Sequence, residues 1–187
     1  MNRAIIIHGW GGEPNEGWLP WLKVDLENRD WNVQAPQMPN AKEPKLEEWL
    51  QTLRELVGKC DNQTYFVGHS LGCYAFLKYI EQLGVGERVG GGVMVAGFAG
   101  HLKHKVTVLQ EFYKDGLHWD KINEHGGEYV AIYSERDDWV RVESAHEFEK
   151  HLAAKLIKNN EWEHFSGSEG IVQLPDALNS LLKIANI

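Results

Sequence analysis

Residues 64–72 read Thr-Tyr-Phe-Val-Gly-His-Ser-Leu-Gly, and this stretch decides the fold. The aromatic and β-branched residues before Gly68 favour a buried strand, and residues 71–83 favour a helix that starts directly after it. In so sharp a turn the chain passes close to itself, and a Cβ at Gly68 or Gly72 would collide with the neighbouring strand or helix. The stretch therefore predicts a strained strand-to-helix turn with Ser70 at its apex.

A serine at such an apex is typical of a nucleophile elbow. The turn exposes Ser70 Oγ, and the backbone N–H of Leu71, at the N-terminus of the new helix, can donate to a developing oxyanion. Two glycines around a serine are by themselves a weak signal, because glycine is common. The flanking strand and helix make the signal stronger. The alternative is a glycine-rich turn whose serine only caps the helix.

Composition limits the classes of partner that the chain can have. The length of 187 residues suits one domain, so we expect a single domain over residues 1–187. The 43% hydrophobic and 25% charged residues are ordinary for a soluble protein. The net charge of −8 argues against nucleic acid or an anionic membrane as the main partner.

Targeting and metal-binding signals are weak in the sequence. The apolar run at residues 4–7 is too short for a signal peptide, and no run approaches the roughly 20 residues of a membrane span. Cys60 and Cys73 have neither metal-binding nor redox spacing. We therefore expect a cytoplasmic protein with reduced thiols, no metal and no cofactor.

Short apolar runs alternate with longer amphipathic ones along the chain. This alternation predicts an α/β protein with a six-stranded, mostly parallel sheet and helices on both faces, in three layers. The predicted strands cover residues 4–8, 33–35, 65–68, 93–97, 129–134 and 155–158. The predicted helices cover residues 18–28, 46–58, 71–83, 107–114, 142–154 and 174–185. The polar segment 98–127 departs from the alternation and is predicted to form a short cap over the carboxyl edge of the sheet, where ligands bind in open α/β sheets.

A serine nucleophile needs a base that takes its proton and a carboxylate that orients the base. Residues 134–140, Ser-Glu-Arg-Asp-Asp-Trp-Val, follow a predicted strand and should lie at the same sheet edge as Ser70. They offer two carboxylates, Asp137 and Asp138. The one that faces inward would hold the base, and the other could cap the next helix. The alternative is a solvated acidic loop.

The predicted base is His164, in the loop between the last predicted strand and the C-terminal helix. It follows the serine and the acid in the chain order that this arrangement requires. His69 adjoins the serine, where a side chain points away from the position of the base, and we interpret it as packing. Histidines in polar or helical segments are more typical of surface positions: His101, His104, His118, His125, His146 and His151.

A second oxyanion donor is expected in the loop after the first strand, which reads His8-Gly9-Trp10-Gly11-Gly12. Its glycines permit a tight path, and the backbone N–H of Trp10 is the predicted donor. The alternative is a glycine-rich turn without a catalytic part.

Together these segments resemble the small single-domain serine hydrolases related to retinoblastoma-binding protein nine and its bacterial homologues. The resemblance extends over essentially the whole chain. Besides the elbow and the aspartate pair, it is carried by residues 7–12 (Ile-His-Gly-Trp-Gly-Gly), 18–22 (Trp-Leu-Pro-Trp-Leu), 38–40 (Met-Pro-Asn), 164–165 (His-Phe), 169–170 (Glu-Gly) and 174–175 (Leu-Pro).

The resemblance implies a minimal α/β-hydrolase fold and a catalytic triad of Ser70, His164 and, as the second aspartate of the pair, Asp138. The chain departs from the family pattern twice. Arg and Val at 141–142 stand where relatives usually have a proline shortly after the acid, and Trp and Glu at 162–163 stand where they often have a glycine before the histidine. Neither departure removes a reacting group, but both could change access to the pocket.

The sequence thus predicts an esterase-type serine hydrolase that cleaves a small ester or amide through a covalent acyl-enzyme. Tryptophans near the site indicate a small aromatic pocket for short or medium apolar acyl groups, and its predicted lining includes Trp139, Trp162 and Trp119. Two alternatives stay open. One is a non-catalytic protein-binding member of the same fold, although the sequence indicates no protein partner, and the other is an acyltransferase that uses the same triad.

Overall fold

The structure is a computed structural model that describes residues 1–100 and 102–187; His101, one of the predicted surface histidines, lies outside the described residues. Within these residues the strands are Arg3–Ile7 (β1), Asn32–Gln34 (β2), Thr64–His69 (β3), Gly91–Val95 (β4), Glu128–Tyr133 (β5) and Lys155–Lys158 (β6). The α-helices are Leu19–Glu27 (α1), Leu46–Val57 (α2), Leu71–Ile80 (α3), Thr107–Tyr113 (α4), Trp119–Glu124 (α5), Glu143–Leu152 (α6) and Pro175–Ile184 (α7), and Gly167–Glu169 forms a 3-10 helix.

The six strands form one sheet in the order β2-β1-β3-β4-β5-β6, and every neighbouring pair is parallel. The predicted α/β class and six-stranded sheet are confirmed. Because all strands run in the same direction, their carboxyl ends meet at one edge. The loops after β1, β3, β5 and β6, which carry the predicted site residues, therefore converge there.

The sheet is buried on both faces, which explains the continuous apolar runs of its strands. In β1, Ile5 and Ile7 pack into one core, and Ala4 and Ile6 pack into the other. Helices α2 to α6 contribute to the first core, and α1 and α7 contribute to the second. None of the helices in the described part of the chain has the length and apolar character that a membrane span requires.

The segment 98–127 contains α4 and the unpredicted helix α5. With six residues, of which Ile122 is buried, α5 is too short to show a helical period in the sequence. It packs against α3 and α6, while α4 packs against α2. Both helices therefore cover the face of the sheet on which α2, α3 and α6 lie. The division into a single domain with a cap-like segment stays a prediction.

Candidate active site

Ser70 occupies the turn between β3 and α3 in a strained backbone conformation. Its φ is 51° and its ψ is −114°, a region that a residue with a side chain adopts only when the surrounding structure enforces it. The backbone N–H of Ser70 donates to the carbonyl of Val95 at 2.9 Å, which fixes the turn to the end of β4. The serine is thus held at the apex between a strand end and a helix start.

The two glycines of the elbow allow this close approach. A Cβ on Gly68 would lie 2.6 Å from the backbone nitrogen of Cys73 in α3. A Cβ on Gly72 would lie 2.3 Å from the carbonyl oxygen of Ile7 at the end of β1. Both distances are far shorter than a carbon can approach a backbone atom, so the steric argument from the sequence is confirmed.

His164 lies between Ser70 and a carboxylate. Its Nε2 is 3.0 Å from Ser70 Oγ, and its Nδ1 is 2.8 Å from Asp137 Oδ2. An ionised carboxylate only accepts hydrogen bonds, so Nδ1 carries the proton and Nε2 is left to accept the hydroxyl proton of the serine. This line of hydrogen bonds is the geometry that removal of a proton from Ser70 requires.

The carboxylate that holds His164 belongs to Asp137, and the prediction of Asp138 is wrong. Asp137 is only 2% exposed, and its Oδ1 accepts the backbone N–H groups of Trp139 at 2.7 Å and Val140 at 2.9 Å. These bonds close a turn around the Asp137 side chain, so it points inward and leaves Oδ2 for the histidine. The side chain of the next residue, Asp138, is exposed.

The two predicted oxyanion donors, Leu71 and Trp10, both line the cavity beside Ser70. Leu71 is the first residue of α3, so its N–H has no acceptor within the helix. Among the described residues, neither backbone N–H donates a hydrogen bond. Both are therefore available to an oxygen of a bound molecule.

His8 fixes the loop that contains Trp10. The buried imidazole bonds through Nδ1 to the carbonyl of Gly9 at 2.8 Å, and its Nε2 accepts the backbone N–H of Met38 at 3.0 Å. Burial lowers the pKa of His8, although the bond to Gly9 opposes this effect. The indole N–H of Trp10 donates to the carbonyl of Lys42 at 2.9 Å, which ties the loop to the segment after β2.

A cavity of about 320 Å³ opens beside Ser70, a size within the range of small-molecule sites. Much of its wall is apolar. The large apolar side chains that line it include Trp10, Trp18, Phe98, Leu102, Leu109 and Trp139. The exposed rings of Trp10 and Trp139 meet edge to face, with their centroids 6.1 Å apart, at its mouth.

Of the three tryptophans predicted to line the pocket, one lies at the cavity and two lie elsewhere. Trp139 lines the cavity, and its ring lies 6.5 Å from that of His164. Trp119 instead stacks on His151 at 4.8 Å in the layer formed by α5 and α6, and Trp162 packs against the core on the opposite face of the sheet. The prediction was wrong for Trp162 because proximity in sequence to a site residue does not fix the direction of a side chain. It was wrong for Trp119 because the part of segment 98–127 that contains this residue packs on α6 and not over the cavity.

The segment after β4 is attached to the loop that carries Asp137. Leu102 and Val140 form an antiparallel bridge, and the backbone N–H of Lys103 donates to the carbonyl of Trp139 at 2.8 Å. The Lys103 ammonium also donates to the backbone carbonyl of Asp137. The cavity wall from segment 98–127 and the acid loop are therefore one connected unit.

His69 has a role that the sequence interpretation missed. Its Nε2 donates to the backbone carbonyl of His164 at 2.8 Å, and the two rings are 5.2 Å apart. Loss of solvent around the imidazole lowers the pKa of His69 to about 4, and the neighbouring His164 acts in the same direction. His69 is thus neutral at neutral pH and connects the elbow to the loop of His164.

Comparisons with known proteins identify the family. A family model described as "Serine hydrolase" matches residues 4–183. The chain belongs to the serine hydrolase family. Two relatives cover most of its length. The Bacillus subtilis (strain 168) protein YdeN is 34% identical over 173 residues, which span 92% of this chain and 90% of YdeN. "Serine hydrolase RBBP9" of Rattus norvegicus is 25% identical over 170 residues, which span 89% of each chain.

Solved structures agree with this family. The crystal structure of the B. subtilis ydeN gene product matches this serine hydrolase with a TM-score of 0.93 and 31% identity over 100% of both chains. Est1E of Butyrivibrio proteoclasticus, solved with ferulic acid bound, matches with a TM-score of 0.72 and 12% identity over 100% of this chain and 90% of Est1E. The latter similarity is one of fold, and the shared fold is that of the α/β-hydrolases. The resemblance found in the sequence is confirmed.

Proposed function

We propose that this serine hydrolase cleaves small carboxylic esters through a covalent acyl-enzyme on Ser70. The observation that carries the proposal is the line of hydrogen bonds from Asp137 through His164 to Ser70 Oγ, at 2.8 Å and 3.0 Å. It lies at the edge of a cavity large enough for a small ester. A nucleophile, a base and a group that orients the base are the three parts that acyl transfer needs.

In the first half of the reaction, Ser70 Oγ forms a bond to the ester carbonyl carbon while His164 Nε2 takes the hydroxyl proton. The negative charge that develops on the carbonyl oxygen is stabilised by the N–H groups of Leu71 and Trp10. Asp137 stabilises the imidazolium. The C–O bond to the alcohol then breaks, and His164 returns its proton to the departing oxygen, which leaves the acyl group on Ser70.

In the second half, a water molecule takes the place of the alcohol. His164 removes a proton from the water as its oxygen attacks the acyl carbon, and the same N–H donors hold the oxyanion. The bond to Ser70 Oγ breaks, the serine regains a proton from His164, and a carboxylic acid leaves. An alcohol or amine in place of this water would make the same site an acyltransferase.

The cavity favours short to medium apolar acyl groups. Phe98, Leu102 and Leu109 form part of its wall, and Trp139 closes it near His164. Each methylene that such a surface buries stabilises the complex by about 0.8 kcal/mol. The benefit ends where the chain fills the cavity, so activity should pass through a maximum with acyl length.

Hydrolysis of p-nitrophenyl esters of increasing acyl length tests the proposal. The protein should turn over the short and medium esters, and Ser70→Ala should abolish this turnover. Trp139→Ala should move the optimum to longer chains, while Trp119→Ala, which changes a tryptophan outside the cavity, should leave it in place. Turnover by Ser70→Ala at the unmodified rate would overturn the proposed mechanism, and an unchanged optimum in Trp139→Ala would overturn the proposed acyl pocket.

A further inference from the structure

Side chains from other elements hold the loop of residues 159–166, which carries His164. Its backbone lies between β6 and the 3-10 helix, and four of its carbonyls accept hydrogen bonds from side chains, the first being Asn160 O, which accepts from Arg136 Nη1 at 3.0 Å. Ser134 Oγ donates to Trp162 O at 2.7 Å, His69 Nε2 to His164 O at 2.8 Å, and Trp18 Nε1 to Phe165 O at 3.0 Å. The loop is thus tied to the ends of β5 and β3 and to the start of α1.

Three backbone N–H groups of the same loop converge on one carboxylate, that of Glu169. Its Oε1 accepts the N–H groups of His164 at 3.0 Å and Ser166 at 2.8 Å, and its Oε2 accepts the N–H of Glu163 at 2.6 Å. The hydroxyl of Ser166 also donates to Oε1, at 3.1 Å. The result is a capping box at the 3-10 helix that also binds the backbone of His164 itself.

The charge of Glu169 strengthens these bonds. Partial burial opposes ionisation, but the hydrogen bonds from the backbone of Ser166, Glu163 and His164 outweigh it, so the pKa of Glu169 is lowered. Hydrogen bonds to an ionised acceptor are about twice as strong as those between neutral groups. Glu169 is therefore a charged anchor for three backbone N–H groups, that of His164 and one on either side of it.

We propose that Glu169 is the positioning residue of the catalytic base: by holding the backbone on both sides of His164, it keeps the imidazole between Asp137 and Ser70. This inference rests on the proposed function of Ser70 and His164. The N–H of His164 is bonded to Glu169 and its carbonyl to His69, so both polar groups of its peptide backbone have side-chain partners.

The imidazole needs this support because it must meet two partners at once. Its two ring nitrogens lie 2.8 Å from Asp137 and 3.0 Å from Ser70, and a rotation that preserves one contact breaks the other. A displacement of about 1 Å in a reacting group can reduce the rate roughly 100-fold. Loss of the Glu169 anchor should therefore reduce kcat much more than it changes KM.

The test compares Glu169→Ala in two backgrounds, the unmodified protein and His164→Ala. In the unmodified background we expect kcat for a p-nitrophenyl ester to fall about 10- to 100-fold with KM nearly unchanged. In the His164→Ala background the same substitution should change the residual rate by less than about twofold, because a residue that acts through His164 has no effect in its absence. Glu169→Gln, which keeps one acceptor oxygen, should give an intermediate loss of kcat. This variant replaces Glu169→Ala in the comparison if Glu169→Ala does not fold.

Glu87→Ala is the matched control. Glu87 also accepts two backbone N–H groups, those of Cys60 at 3.0 Å and Gly84 at 2.8 Å, but it does not line the cavity. Glu87→Ala should lower the free energy of unfolding but leave kcat within about twofold of the unmodified value.

Three outcomes would overturn the inference. An unchanged kcat in the Glu169 variants while Ser70→Ala is inactive would refute the role of Glu169 alone. An equal loss in both His164 backgrounds would assign Glu169 a general structural role instead. Full activity of Ser70→Ala would refute the proposed function, and this inference with it.

Discussion

Replacement of Asp137 by asparagine should nearly abolish turnover, while the same change at Asp138 should have almost no effect. In the protein, Asp137 Oδ2 accepts the Nδ1 proton of His164 at 2.8 Å, and Oδ1 accepts two backbone N–H groups. The single side-chain oxygen of asparagine can accept those two N–H groups only if the NH2 group of the side chain faces His164. The imidazole must then carry its proton on Nε2, toward Ser70, where it cannot accept the serine proton.

The expected loss in kcat for Asp137→Asn is on the order of 10⁴-fold, which is the effect of a wrong histidine tautomer in the triad of a serine protease. Replacing bonds to a charged carboxylate by bonds to a neutral amide should reduce the free energy of unfolding by about 1–2 kcal/mol, so the variant should remain folded. Because the Asp138 side chain is exposed, Asp138→Asn should keep kcat within about twofold.

Ester hydrolysis under saturating substrate, with urea unfolding curves for each variant, measures both quantities. The reasoning fails if Asp138→Asn loses activity while folded, or if folded Asp137→Asn keeps more than about a tenth of the unmodified kcat.

Two further predictions concern stability. His69, with a pKa of about 4 against an ordinary 6.5, binds its proton more weakly in the folded state, so stability should be lost as pH falls from about 6.5 to 4. Between pH 7 and pH 5, the free energy of unfolding should fall by roughly 2 kcal/mol because of His69. Urea unfolding curves should show this loss in the unmodified protein and not in His69→Gln, and equal losses in both proteins would refute the lowered pKa of His69. Gly72→Ala places a Cβ 2.3 Å from the Ile7 carbonyl and should cost at least about 2 kcal/mol together with most of the activity. Gly86→Ala, whose Cβ meets no atom, should cost only about 1 kcal/mol for its φ of +83°, and equal costs at the two positions would contradict the steric account.

The parts of the molecule that depend on local pattern were predictable from the sequence. Buried parallel strands give apolar runs, and the elbow needs glycine at Gly68 and Gly72 for reasons that apply wherever a strand turns abruptly into a helix. His164 could be selected because parallel strands place all their following loops at one edge of the sheet. The bounds of the predicted strands and helices differ from the observed ones by a few residues, where the ends of elements depend on tertiary contacts.

Side-chain direction within loops was not predictable in the same way. Asp137 and Asp138 are adjacent and chemically identical, and only the turn closed by the N–H groups of Trp139 and Val140 directs the first of them inward. The resemblance to the family therefore selected the wrong member of the pair. The prediction that Trp119 lines the pocket was wrong for a related reason. Helix α5, which contains Trp119, packs onto α6 and does not face the cavity.

A local signal for Glu169 was present in the sequence. Ser166 and Glu169 have the spacing of a capping box, which marks the start of a helical turn. The pattern alone does not show which other backbone groups the Glu169 carboxylate contacts. In the structure the turn lies directly after His164, so this carboxylate also accepts the backbone N–H of the histidine.

The central claim is that Ser70 is a nucleophile activated by His164 and Asp137, and the most direct measurement is its reaction with a fluorophosphonate probe. The rate of labelling and the modified residue would be determined by mass spectrometry for the unmodified protein, Ser70→Ala, Asp137→Asn and Asp138→Asn. We predict one adduct, on Ser70, that is absent in Ser70→Ala, forms far more slowly in Asp137→Asn and forms at the unmodified rate in Asp138→Asn. A folded protein that does not react, or an adduct on any other residue, would contradict the account.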